Sequence, residues 1–112
     1  MRASHGQHEL QLGEKTYTLK PTIACYEIID DKFGGALGAI DALRSGGLNA
    51  ATTIACAGIG TTSKGGKEHV KQAIFEAGVT NVAATLVQFL STLAANPTGK
   101  EDEEEGGDSG KG

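Results

Sequence analysis

An alternating segment that turns back on itself at residues 13 and 14 runs directly into a proline, a threonine and a helical repeat: HELQLGEKTYTLKPTIACYEIIDDKFG, His8 to Gly34. With Gly13-Glu14 as the turn, Leu12 faces Lys15, Leu10 faces Tyr17 and His8 faces Leu19. Side chains alternate across a strand, so Leu10, Leu12, Tyr17 and Leu19 share one side of the hairpin. Glu9, Gln11, Thr16, Thr18 and Lys20 take the other. Glycine at the first central position suits a type II′ turn, whose twist matches the strands it joins. Pro21 excludes a continuing central strand. Thr22 is placed to cap a helix over about 22–33, with Cys25, Tyr26, Ile29 and Phe33 as its buried stripe. The order hairpin then helix predicts an α+β domain, mostly helical, with an N-terminal β-hairpin followed by about four to five helices.

Glycine-rich breaks divide the rest of the chain. Gly34-Gly35 ends the first helix, and a second over about 36–45 offers Leu37, Ile40 and Leu43 before Gly46-Gly47. A third starts near Asn49 as N-cap, with Ala51, Ile54, Ala55, Gly58 and Ile59 grouped for close packing against a neighbouring helix. GTTSKGG, residues 60–66, reads as a mobile loop of breakers and polar residues. A fourth helix over about 67–77 turns Val70, Ala73, Ile74 and Ala77 inward and Phe75 away, and stops at Gly78. The fifth has Thr80 as its cap. Its residues Val82, Ala83, Leu86, Val87, Phe89, Leu90 and Leu93 recur to about Ala95, before Asn96-Pro97. At ~100° per residue these cover an arc of about 160°, wider than the stripe of an ordinary surface helix. A face that broad either makes this the central helix of the domain or is completed by a partner chain.

The chain has 112 residues, 17 glycines and no tryptophan, which limits it to one lean domain. Residues 1–6 are expected to be a flexible N-terminus, 7–97 a single globular domain and 98–112 a disordered, acidic, glycine-rich tail. Up to residue 97 eight Lys or Arg balance eight Asp or Glu, so the tail carries the whole net charge of −4. TGKEDEEEGGDSGKG holds five consecutive acids and no large apolar side chain. Such a segment cannot offset its ordering entropy. It serves solubility or, more specifically, an electrostatic contact or a shield for a sticky surface. An acidic tail and the lack of a dense basic patch exclude nucleic acid as the main ligand, because that binding rests on neutralising phosphates. The first ten residues lack the apolar core of a secretory signal, and no run reaches the ~20 apolar residues of a membrane span. The expectation is a cytoplasmic protein without a membrane partner. Cys25 and Cys56 read as buried reduced thiols, with their pairing left open.

Chemical signatures are tested in turn. GIGTTSKGGK resembles a phosphate-binding loop, but Gly66 stands where the lysine belongs, no Ser or Thr follows Lys67, and a helix precedes it. His5 and His8 lie three apart and His69 far away, with no Cys or carboxylate at ligand spacing, so no metal is expected. Adjacent Asp30 and Asp31 diverge by ~100° on a helix, which suits a solvated face better than an acid/base pair. No nucleophile comes with an identifiable base. The expectation is a non-enzymatic protein without cofactor.

ELQLGEKTYTLKPTIACYEIIDDKFGGALGAIDALRSGGLN, followed by an alanine-rich helix and a final apolar helix, resembles the small tail proteins of gene transfer agents and related siphophages. That family lies between the tail tube and tape-measure genes; it is classed as a tail assembly chaperone and has also been labelled a tail tube protein. The matching order is a short strand, a tight turn, the Tyr17-Thr18-Leu19 strand, Thr22, a helix carrying Glu27 and Asp30, Gly34, and a short Leu-rich helix closing on Gly46. It covers about residues 7–95. The family commonly has Asp-Gly in the turn where this chain has Gly13-Glu14, with the loop length kept.

The resemblance implies a protein that binds the tape-measure protein, the tail tube protein or both, in the host bacterial cytoplasm and, in one alternative, associated with the virion. A tape-measure protein is long, helical and prone to aggregate until the tube polymerises around it. A chaperone would cover its apolar stripes. Phe75 is the leading contact candidate because it lies off its helix's core face, although packing against the hairpin is the favoured structural reading of that position. Leu86, Phe89, Leu90 and Leu93 are secondary candidates in a helix-in-groove mode. The rival reading is a structural component retained in the phage-like tail, adding its hairpin to a neighbour's sheet edge. A homo-oligomer is left open.

Overall fold

The computed structural model describes residues 7–45 and 47–95. The hairpin pairs β1 (His8–Leu12) with β2 (Lys15–Leu19) in antiparallel register, with Leu10 opposite Tyr17 and Leu12 opposite Lys15. Gly13 takes a positive φ of 66°, a left-handed turn conformation that costs glycine little. The solvent face is tied across the turn: Gln11 Nε2 donates to the Gly13 carbonyl and Thr16 Oγ1 to Gln11 Oε1, both at 2.7 Å. On the inner face Leu10, Leu12 and Leu19 are buried and Tyr17 is half-buried.

Five helices follow: α1 (Ile23–Phe33), α2 (Ala36–Arg44), α3 (Leu48–Ile59), α4 (Lys64–Ala77) and α5 (Val79–Ala95). The chain is thus a mostly helical α+β globule led by a two-stranded antiparallel hairpin. Thr22 caps α1, its hydroxyl accepting from the Cys25 N–H at 3.0 Å. Cys25 and Ile29 are buried, and Tyr26 and Phe33 pack half-buried against the core. Among the described residues no single helix is long and apolar enough to cross a membrane; α4 and α5, the longest, meet at a 114° bend.

The broad apolar arc of α5 is accounted for within the chain. The helix packs against α2, α3, α4 and β1, and Val82, Leu86, Phe89, Leu90 and Leu93 are buried on those contacts. Helix α3 is the second central element, buried on nearly every side: Ala51, Thr52, Ile54, Ala55, Cys56, Ala57 and Gly58 all lie inside. What packs closely on its small-residue face is the hairpin as well as a helix. The Lys20 N–H donates to the Gly58 carbonyl at 2.9 Å, and a Cβ at Gly58 would lie 2.8 Å from Leu19 Cδ2 and 3.2 Å from Phe89 Cε2. A side chain there would press on Leu19 and Phe89. The Phe89 ring also meets the His8 ring edge to face, 5.9 Å between centres.

Four local readings are corrected. Leu37 is 77% exposed, because α2 buries Ala36, Ala39 and Leu43 and Leu37 stands ~100° from Ala36. Asn49 lies inside α3, whose N-cap is Gly47. The loop after α3 is only Gly60 to Ser63: the Ser63 hydroxyl accepts from the Gly66 N–H at 3.0 Å and starts α4 at Lys64. A serine cap outweighs the weak helical preference of two glycines in the first turn. Thr80 sits in the first turn of α5, whose first intrahelical bond runs from the Val82 N–H to the Gly78 carbonyl. The readings for residues 1–6, Gly46 and 96–112, including the acidic tail, lie outside the described residues.

Candidate functional site

Both cysteines are free and buried. Burial pushes the Cys25 thiol up from 9.0 to about 11, and burial raises Cys56 despite the opposing pull of the Lys67 ammonium. A protonated thiol is a poor nucleophile. Among the described residues no three His, Cys, Asp or Glu side chains group to hold a metal ion. The cleft between α1 and α3 that contains Cys56, Lys32 and Lys67 also holds Thr52, but the Thr52 hydroxyl is spent on the Leu48 carbonyl at 2.8 Å.

The surface is where unused capacity lies. Among the described residues four large apolar side chains are exposed: Ile23 at 79%, Leu37 at 77%, Phe75 at 65% and Ile28 at 39%. Phe75 follows Ile74, which is fully buried, so the ~100° step that carries Ile74 inward carries Phe75 to solvent. At that exposure it is not buried against the hairpin. Ala77 of α4 and Asn81, Val82 and Thr85 of α5 instead border β1 beside Glu9, Leu10 and Gln11. Stacked along the Phe75 side of α4, three to four residues apart, are Lys71, Glu68 and Lys64.

Leu86, Phe89, Leu90 and Leu93, the secondary candidates, are core residues and at most 1% exposed. Their periodicity reads equally as a binding face or as an interior face, and four neighbouring elements decide for the interior. Leu93 also lies at an opening. It floors a groove of about 430 Å³ walled by Pro21, Thr22, Ile23, Tyr26, Glu27 and Asp30. Ile23, Tyr26, Glu27 and Asp30 follow the i, i+3, i+4, i+7 spacing of one helical face, apolar at the start of α1 and acidic further along. Sequence reading assigned Tyr26 to the core stripe and Asp30 to a solvated face; the signal that joins them with Glu27 was the spacing with Ile23. No protein-family model, curated protein or solved structure matches the chain.

Proposed function

We propose that this chain is a non-enzymatic tail assembly chaperone, binding tape-measure protein, tail tube protein or both while a phage-like tail is built. The reading draws on the resemblance of residues 7–95 and on one structural observation, the 65% exposure of Phe75 on a helix whose other large apolar residues are buried. An aromatic ring in water is a ready anchor for the apolar stripe of a helical partner. The exposed Ile23 and its groove add a second apolar contact on α1.

The retained structural subunit is the second reading, and the observation that favours it is the two-stranded sheet, whose outer edges can extend a neighbour's sheet. Probing purified particles for this chain separates the two. Absence from mature particles supports the chaperone, and stoichiometric presence supports the structural subunit.

A further inference from the structure

Two faces of this chain match at one end, where each sets an exposed apolar side chain beside a charge and the two charges are opposite in sign. The α1 groove presents Ile23 with Tyr26 and the Leu93 floor, followed one helical turn on by Glu27. The α4 ridge presents Phe75, with Lys71 one turn back along the helix. In both, the apolar anchor and the charge stand four residues apart, about 6 Å along the axis. The signs are opposite. We propose that α4 of one copy docks antiparallel into the α1 groove of a second copy of this chain, with Phe75 seated against Ile23, Tyr26 and Leu93, and Lys71 paired with Glu27.

The same register brings Glu68 opposite Asp30, a like-charge meeting at the solvent rim, with Lys64 following one turn beyond. A contact between two short helical faces is smaller than the roughly 1,200 Å² of stable interfaces. The association is therefore weak and concentration-dependent, and a competing helix can displace it. The inference rests on the chaperone reading for its role alone: in the absence of client, copies cover the apolar surface that the client later takes. The acids at 101–105 share the sign of Glu27 and Asp30, which argues against the chain's own tail as the occupant.

Light scattering on the full chain, from micromolar to millimolar concentration and without any tail protein, tests this independently of the chaperone reading. The mass should rise above the 11.4 kDa of one copy as concentration increases. Phe75→Ser and Ile23→Ser should each raise the concentration of half-association about tenfold or more. Lys71→Glu and Glu27→Lys should each weaken association, and the double variant should restore it, with circular dichroism confirming that all five variants fold. A monomeric mass throughout overturns the proposal, as does association indifferent to Phe75 and Ile23, or failure of the double variant to recover. A shift of the Ile23 and Tyr26 resonances of the monomer when the acids at 101–105 are replaced by glutamine also overturns it, and gives the groove to the tail.

Discussion

Phe75 keeps 65% of its surface in water while Ile74 beside it keeps none, so substitutions at these neighbours should separate binding from folding. Phe75→Ser should change stability by no more than about 0.5 kcal/mol in urea denaturation, yet weaken capture of the tape-measure protein. Unchanged capture would remove Phe75 from the contact. Cys25 makes a different prediction. Its folded-state thiol is held at about 11 against an ordinary 9.0, so the unfolded chain releases its proton first as pH rises. The contribution is fully present below pH 9 and is lost between pH 9 and 11, with a slope of at most about 1.4 kcal/mol per unit. Stability measured against pH should fall more steeply in that window for the native chain than for Cys25→Ala. At Gly58 space decides: Gly58→Val should cost about 1–3 kcal/mol by overpacking Leu19 and Phe89. Gly65, with nothing within 4 Å of a Cβ, should accept alanine with a gain of about 0.4–1 kcal/mol. Thermal melts of the two variants should shift in opposite directions.

At the scale of elements, α5 and α3 carry the interior, and Phe89 joins them to the hairpin through Gly58 and His8. Phe89→Ala should cost about 3–5 kcal/mol, a large share of the 5–15 kcal/mol that holds a domain of this kind together. Loss of the cooperative thermal transition is the readout. The hairpin register, the Thr22 cap and the inward stripe of α5 were legible in the sequence because each rests on local chemistry: period-two alternation, a side-chain cap, a long 3.6-residue repeat. Leu37 was misplaced because α2 is short and rich in alanine, and its buried face is set by neighbours that select Ala36 and Ala39. The early start of α4 was hidden by two glycines, whose weak helical preference masks the Ser63 cap. Of the candidate site, periodicity placed Phe75 off the core stripe of α4, while its exposure ran against the favoured expectation that it packs on the hairpin. The burial of Leu86, Phe89 and Leu90 agrees with the reading of α5 as the central helix and removes them as contact candidates, because the chain's own elements cover them.

For the whole molecule, the interior is closed by the chain's own hairpin and helices, and the apolar capacity left over lies on α1, α2 and α4. That division between a filled core and a few exposed anchors suits a protein that acts by reversible contact. The central claim is that the chain holds a tape-measure protein soluble until tube protein replaces it. The most direct measurement is co-expression of the full chain with the tape-measure and tail-tube proteins of its own gene cluster, followed by affinity capture and light scattering. The account predicts a soluble complex with the tape-measure protein that is lost when tube protein is added. A stable assembly with tube protein alone, and none with the tape-measure protein, would contradict it.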